Sequence, residues 1–301
     1  MSQRVATIDL GSNSCVFLVV EQSGAEVRRL ESDVAFTRLG QGVDHAGRLA
    51  EDALRRALEA IEAFTERAGQ MGVDQLSCVG TAALREASNR EVLMHAVRAL
   101  GCPIRAVSGM EEAALSYRAA CFDGALQDAL MIDVGGASTE FAWGDQGVLA
   151  GATSLPLGSV RLMERFGLAA PALPEDLAPA QRVIADALSS LPDLRSRPMV
   201  AVAGTATTAA QCALGLMAYD PERVDHVVLS EVTLRGLLDD LLGMATEARV
   251  RRYGLPLGRA DVLPMGLLIL LESLHRMNRH ELVVRDRGVG WGEALNLLMG
   301  M

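Results

Sequence analysis

One short pattern occurs twice in this chain, at Ala6–Ser14 and at Leu130–Ser138. Each copy has an apolar run, an aspartate, an apolar residue, a glycine, two small residues and a serine. The pattern predicts a buried strand that ends in an acid, a glycine turn and a second strand. Such a turn exposes backbone N–H groups that can hold phosphate, and the neighbouring carboxylate can hold a metal ion through water. Two copies predict two lobes that grip one phosphorylated ligand.

The bulk composition favours two domains of ordinary size with a sizeable core. The chain has 301 residues, of which 50% are hydrophobic. The formal charge of −10 disfavours non-specific nucleic-acid binding, so no nucleic-acid partner is expected. All 28 cationic side chains are arginines, so any cationic contact to phosphate must come from a guanidinium, which can bind two oxygens at once.

Cysteine usage and hydropathy favour a cytoplasmic protein without a membrane partner. The five cysteines lie in apolar contexts without a CxxC pair, which is typical of reduced, buried thiols. The N-terminus lacks the charged-then-apolar pattern of a signal region. The longest apolar stretch, Val262–Leu271, is far shorter than the roughly 20 residues that a membrane span needs.

The order of predicted elements indicates a duplicated α/β architecture. Val5–Leu10, Cys15–Val20 and Glu26–Phe36 read as three antiparallel strands, and the apolar residues between Ala50 and Ala68 recur at helical spacing. Asn89 is expected to cap a later helix. Strand clusters separated by helices then repeat once. The predicted domains are residues 1–122 and 123–301, with a terminal helix at about 285–301 that can pack back on the first domain.

The two repeated loops are the first candidate sites. The first comprises Asp9 and the predicted phosphate-binding residues Gly11, Ser12, Asn13 and Ser14. A simple β-turn uses the same residue types, but a carboxylate that ends an apolar strand needs a partner. In the second loop two glycines, two hydroxyls and two acids are harder to explain as turn chemistry alone; its residues are Asp133, Gly135, Gly136, Ala137, Ser138, Thr139 and Glu140.

Three further segments could contribute chemistry. Gly204 and Thr205 follow a buried strand, where the N–H groups of a helix start could face an anion, although a plain strand–helix connection fits as well. Arg85 is either a solvated surface residue or a phosphate clamp. Glu112, in a predicted first helical turn, is either an acid that favours the helix dipole or a general base for an attacking water.

Other reaction classes lack their residues. The five histidines do not cluster at zinc-ligand spacing, so a zinc hydrolase is disfavoured. The sequence has no GxSxG segment for a serine hydrolase and no GxxxxGK[ST] phosphate loop.

Together these blocks resemble the exopolyphosphatase/guanosine pentaphosphate phosphohydrolase (Ppx/GppA) family, within the actin-like, ribonuclease H-like superfamily. The resemblance spans nearly the whole chain, in its short two-domain form. It is carried by the following segments in order: Ile8–Ser14, Gly80–Arg85 with Asn89, Ser108–Glu112, Ile132–Glu140, Ser154–Gly158, Gly204–Thr208 and Gly258–Asp261. One departure is Ala137, where the family usually has a third glycine. Alanine disfavours positive φ, so either the loop is altered or the position does not require glycine.

The resemblance implies two actin-like domains with an active-site cleft between them. It implies Mg²⁺-dependent hydrolysis, with Mn²⁺ as a substitute, of the terminal phosphate of inorganic polyphosphate. The motif positions make Glu112 the general base and Arg85 a second catalytic residue, which stabilises the phosphoryl oxygens. The acids Asp9 and Asp133 become metal ligands, and Glu140 beside them has both a catalytic and a metal-binding role.

Three alternatives stay open at this point. The substrate could be guanosine pentaphosphate (pppGpp), from which a 5′-phosphohydrolase removes the γ-phosphate. A non-catalytic sensor of (p)ppGpp or polyphosphate would need no base, and a superfamily kinase would phosphorylate an acceptor with ATP. Long polyphosphate should prefer a channel lined by arginines, for which Arg249, Arg251, Arg252 and Arg259 are candidates. Relatives also make a homodimer a reasonable expectation.

Overall fold

The computed structural model describes residues 2–124, 126–168 and 171–300. The chain divides into two compact units. The first takes the chain up to Ala119 and again from Val289, and the second runs from Ala120 to Gly288.

The first unit is built on a five-stranded sheet. Its strands are β1 (Gln3–Leu10), β2 (Cys15–Ser23), β3 (Glu26–Ala35), β4 (Gln75–Gly80) and β5 (Ile104–Ala106), in the spatial order β3-β2-β1-β4-β5. The first three pair antiparallel, whereas β4 and β5 continue parallel to β1. Its helices are α1 (Val43–Ala46), α2 (Glu51–Gln70), α3 (Ala82–Glu86), α4 (Arg90–Ala99) and α5 (Gly109–Cys121), with α14 (Val289–Met299) from the end of the chain.

The second unit repeats this plan with one strand added. Its strands are β6 (Leu130–Val134), β7 (Thr139–Asp145), β8 (Val148–Leu155), β9 (Met199–Val202), β10 (Val228–Ser230) and β11 (Glu281–Val284), in the order β10-β11-β9-β6-β7-β8. Its helices are α6 (Ser159–Phe166), a 3₁₀ turn (Pro174–Leu177), α7 (Ala178–Leu188), α8 (Ala203–Ala213), α9 (Pro221–Val224), α10 (Glu231–Leu242), α11 (Thr246–Tyr253), α12 (Leu257–Ala260) and α13 (Leu263–Arg276).

The repeated topology confirms the predicted α/β class with two actin-like units. In both sheets three antiparallel strands are followed by two parallel ones, with β6, β7 and β8 matching β1, β2 and β3. The short strand β10 adds an antiparallel edge that the sequence pattern did not predict.

Apolar periodicity explains how the helices cover the first sheet. The buried residues of α2 are Ala53, Ala57, Ile61, Phe64 and Ala68, three or four positions apart, as one helix face requires. Phe64 stacks on Phe17 of β2 with ring centroids 5.1 Å apart. On the opposite sheet face Trp291 of α14 is buried against Val5 and Leu18. Both faces of β1 are therefore covered, which explains why Val5, Ala6, Thr7 and Ile8 are all buried although they alternate between the two faces.

In the second unit α13 lies at the centre of the core. Eleven of its residues, Leu263–Leu271 with Ser273 and Leu274, are buried. Within the described ranges no single helix is long and apolar enough to cross a bilayer. One bent pair, Thr246–Tyr253 with Leu257–Arg276, meets those criteria jointly, at an angle of 114°.

Candidate active site

The first repeated loop is a tight turn whose backbone carbonyl groups accept hydrogen bonds from other backbone N–H groups of the first unit. The Gly11 N–H donates to the Ser14 carbonyl at 2.9 Å. The Ser12 carbonyl accepts from the Gly40 N–H at 2.8 Å, and the Asn13 carbonyl accepts from the Arg38 N–H at 2.9 Å. Because these acceptors are bonded to backbone donors, the loop can present N–H groups to an anion.

The second repeated loop forms the same turn, but its carbonyl groups accept hydrogen bonds from the start of helix α6 instead of from a neighbouring loop. The Gly135 N–H donates to the Ser138 carbonyl at 3.0 Å. The Gly136 carbonyl accepts from two N–H groups of the first turn of α6, those of Val160 at 2.8 Å and Arg161 at 3.1 Å. The Ser159 N–H and the Arg161 guanidinium bond the Gly135 and Ala137 carbonyls at 3.0 and 2.9 Å. The sequence repeat is therefore a repeat of backbone geometry.

Ala137 fits the second loop without backbone strain. The described non-glycine residues with positive φ are Arg38, Gln146, Ala203, His226 and Asn278, so Ala137 does not need the left-handed conformation. Position 137 therefore does not require glycine, which is the second of the two possibilities raised by the sequence.

The loop acids lie at the ends of their strands but differ in what faces them. Asp9 near the end of β1 pairs in register with Val16, whereas Asp133 of β6 pairs with Glu140 of β7. Asp133 and Glu140 are both buried, and Glu140 accepts a hydrogen bond from the Ser154 hydroxyl at 2.6 Å. Two neighbouring carboxylates thus lie beside the second loop.

Arg85 and Glu112 form an ion pair in the first unit. The Arg85 Nη1 lies 3.1 Å from Glu112 Oε2 and donates to the Val107 carbonyl at 2.9 Å. Glu112 is buried in the first turn of α5. Arg85 therefore neutralises a carboxylate that would otherwise be costly to bury.

These two side chains share an edge of the sheet with the first loop. The Thr81 N–H, just after β4, donates to the Leu10 carbonyl, and the Val107 N–H, just after β5, donates to the Gly80 carbonyl. The carboxyl ends of β1, β4 and β5 are therefore adjacent, at the edge where open α/β sheets bind ligands. The first unit brings together Asp9, Gly11–Ser14, Arg85 and Glu112.

The start of α8 adjoins the second loop. The Thr205 hydroxyl donates to the Val134 carbonyl at 2.9 Å, just before Gly135. A Cβ on Gly204 would lie 2.1 Å from the Arg259 guanidinium, so this position can accept only glycine while Arg259 stays in place. Burial lowers the pKa of Arg259 to about 10, which leaves it cationic at neutral pH. A guanidinium and a helix N-terminus side by side favour a bound anion.

Some side chains that were predicted to bind phosphate or polyphosphate instead donate hydrogen bonds to backbone carbonyl groups of the fold. The hydroxyl of Thr139, like that of Thr205, is committed to a carbonyl, that of Leu157 at 2.5 Å. Arg249 was a candidate for a basic channel, but it is buried and donates to the Leu241 and Ala260 carbonyls. That role is wrong for Arg249, because its guanidinium is used inside the second unit.

The sequence patterns did not identify the residues that hydrogen-bond to the two glycine loops or pack closely against them. Arg38 and Gly40 hold the first loop, and Arg161 with Gly158 supports the second. A Cβ on Gly158 would lie 2.3 Å from the Gly136 oxygen, so a glycine is needed where α6 approaches the loop. The segment Ser154–Gly158 was recognised as part of the resemblance, but nothing in its composition indicated this contact.

Comparison with known proteins identifies the family to which the chain is similar. The family model described as "Ppx/GppA phosphatase family" matches residues 18–298. The chain is 30% identical to exopolyphosphatase 2 of Mycobacterium tuberculosis over 98% of both proteins. The structure of the Ppx/GppA family member from Aquifex aeolicus has a TM-score of 0.84 at 26% identity, with 100% of this chain and 99% of that chain covered.

A second solved structure supports the fold alone. An exopolyphosphatase from Cytophaga hutchinsonii has a TM-score of 0.91 at 22% identity, with 99% of each chain covered. The family model and the relative from Mycobacterium tuberculosis both extend over nearly the whole sequence. The chain belongs to the Ppx/GppA phosphatase family.

Proposed function

We propose that the protein is an exopolyphosphatase that hydrolyses the terminal phosphate of inorganic polyphosphate with a water activated by Glu112. The observation that carries the proposal is the ion pair between the half-buried Arg85 and the buried Glu112, with an N–O distance of 3.1 Å, at the same sheet edge as the Gly11–Ser14 loop. A carboxylate at the same strand ends as a glycine loop can activate water while the N–H groups of the loop stabilise the developing charge. The family and the named exopolyphosphatase relatives support this reaction class.

The proposed mechanism relies mainly on positioning and electrostatics. In the first unit the N–H groups of Ser12–Ser14 bind phosphoryl oxygens, because the Gly11 N–H already closes the turn. In the second unit the N–H groups of Gly136–Ser138 offer the same kind of anion site, to which the start of α8 at Gly204 and Thr205 adds its helix dipole, while the Gly135 N–H closes the turn. Arg85 turns from Glu112 to the equatorial oxygens of the transferred phosphoryl group. Glu112 then accepts a proton from water as the new P–O bond forms. The bridging P–O bond breaks and the shortened polyphosphate leaves as an oxyanion.

The acids of the second loop fit a hard divalent cation. Asp133 and Glu140 lie opposite each other on adjacent strands and offer only oxygen ligands. Mg²⁺ prefers such ligands and usually needs only one or two carboxylates, with water and substrate phosphate completing its shell. We assign Asp133 and Glu140 to this ion; Asp9, which lies in the first unit, stays a predicted ligand. Bound Mg²⁺, or Mn²⁺ in its place, would neutralise charge on the phosphate oxygens.

A phosphate-release assay tests the proposal. Polyphosphate and pppGpp are supplied separately, with Mg²⁺ and with EDTA. We expect metal-dependent release from polyphosphate, and Glu112→Gln should lower kcat by about 10²–10⁴. Glu91→Gln, at an exposed acid in the first turn of α4, is the control and should keep wild-type kcat.

Each alternative gives a different result in this assay. Release from pppGpp alone would favour the pentaphosphate phosphohydrolase. Binding of either compound without release would favour a sensor, and ATP-dependent phosphorylation of an acceptor would favour a kinase. Full kcat in a folded Glu112→Gln variant would refute the assignment of the base.

A further inference from the structure

Glu293 is a buried carboxylate that the mechanism does not use. It lies on α14 and is only 4% exposed. The Ser77 hydroxyl of β4 donates to its Oε1 at 2.6 Å, and the Arg105 Nη2 of β5 lies 2.7 Å from its Oε2. A buried carboxylate is costly unless it is paired, so this one is held by two partners from adjacent strands.

Arg105 connects this carboxylate to the helix that carries the proposed base. Its Nη1 pairs with Glu111, while Nη2 of the same guanidinium pairs with Glu293. Glu111 directly precedes Glu112 in the first turn of α5. One planar guanidinium therefore bridges α14 and the start of α5, which restricts how the first turn of α5 can rotate.

Backbone packing brings the same two helices together. A Cβ on Gly292 would lie 2.2 Å from the Leu115 carbonyl oxygen of α5, so α14 approaches α5 as closely as glycine permits. Val289 joins Val79, Val107 and Leu115 in a small apolar cluster beneath the start of α5. Val107 also supplies the carbonyl that holds Arg85. The end of the chain thus contacts the supports of both Glu112 and Arg85.

We infer that Glu293 is a positioning residue for the reaction, acting through Arg105 and Glu111 on the orientation of Glu112. The inference rests on the proposed role of Glu112 as the general base. Ser77 fixes one carboxylate oxygen of Glu293, and the other oxygen fixes the Arg105 guanidinium. The guanidinium in turn fixes the α5 turn that presents Glu112. The network sets the direction of the base rather than contacting substrate.

A matched control exists in the same unit. Glu21 of β2 is also a buried carboxylate held by two partners, Arg4 at 2.8 Å and Arg28 at 2.6 Å. Glu21 pairs in register with Arg4, near the start of β1, whereas Asp9 lies near the end of that strand. Glu21→Gln therefore removes a comparable ion pair at the opposite edge of the sheet from Glu112.

The test is a double-mutant cycle on phosphate release from polyphosphate. We expect Glu293→Gln to lower kcat roughly 10-fold or more with little change in KM, within what a misplacement of about 1 Å produces. Glu21→Gln should leave kcat unchanged. In the Glu112→Gln background, Glu293→Gln should lower the residual rate by less than about 2-fold, because the group it orients is gone.

Three results would overturn the inference: an unchanged kcat in Glu293→Gln, an equal loss of kcat from Glu293→Gln in both backgrounds, and an equal loss from Glu21→Gln. If the wild-type protein releases no phosphate from either substrate, the proposed function fails, and amide hydrogen exchange tests the network instead. Glu293→Gln should then speed exchange in residues 109–115 and Glu21→Gln should not; unchanged exchange would contradict the positioning role.

Discussion

Gly158 lies where α6 meets the second glycine loop, and a single methyl group there tests whether that loop acts in catalysis. Its backbone is extended, with φ −148° and ψ 160°, so alanine can adopt the same conformation without strain. The added Cβ, however, would lie 2.3 Å from the Gly136 oxygen and 2.5 Å from the Ala137 nitrogen. The main perturbation in Gly158→Ala is therefore a steric clash between the start of α6 and the loop.

The size of that displacement follows from van der Waals contact. Non-bonded carbon and oxygen atoms need about 3.4 Å, so the loop and α6 must separate by about 1 Å. Such overpacking costs about 1–3 kcal/mol of stability. A shift of about 1 Å in a group that binds the reacting phosphate costs about 10²-fold in kcat/KM.

The assay combines steady-state phosphate release with thermal unfolding. The control is Gly236→Ala on α10, where a Cβ has nothing within 4 Å. This control should keep wild-type kcat/KM and gain about 1 kcal/mol of stability, because alanine is the better helix former. If Gly158→Ala is destabilised but keeps full kcat/KM, the helix has moved instead of the loop, or the loop has no catalytic part; either result refutes the reasoning.

Three further predictions concern stability and reactivity. Ala203 has φ +62°, a conformation that costs alanine about 1–2 kcal/mol, so Ala203→Gly should raise Tm; an unchanged or lower Tm would contradict this. Hydrogen bonds from Arg28 and Arg4 lower the pKa of Glu21, so its stabilisation is present above about pH 4.3 and is lost as pH falls through the lower folded-state pKa. Urea midpoints across this range should fall less in Glu21→Gln. Burial raises the pKa of Cys15, and the Cys102 hydrogen bond with burial raises that of Cys78. Iodoacetamide at pH 8 should label both only as fast as the protein unfolds.

Local patterns predicted the parts of the fold that are set by local sequence. The predicted hairpin forms from two apolar runs, Val5–Leu10 and the run from Cys15, joined by the glycine turn. Its register places Leu10 opposite Cys15, as a tight turn between the two runs requires. The spacing of apolar residues predicted α2 and its buried face correctly. The second copy of the hairpin followed from the repeated motif, since its residues have the same apolar order and the same glycine.

Long-range contacts account for what the sequence could not reveal. Asn89 was expected to cap α4, but its side chain instead bonds both the N–H and the carbonyl of Leu49, 40 residues earlier. Asn89 therefore occupies the N-cap position of α4, as predicted, but its side chain does not cap the helix. The Glu293 network joins residues 216 and 188 positions apart, which no local pattern indicates. Strand β10 has only three residues and pairs with β11 far along the chain.

The two copies share a backbone but have diverged in the chemistry beside it. The residue opposite Asp9 is Val16, whereas the residue opposite Asp133 is Glu140. The second unit therefore has the paired carboxylates that suit a cation, and the first unit instead has the Arg85–Glu112 pair that suits proton transfer. This difference predicts distinct losses: Glu140→Gln should raise the Mg²⁺ concentration needed for half-maximal rate, while Glu112→Gln should lower kcat at saturating Mg²⁺. Equal metal dependence in the two variants would contradict this division of roles.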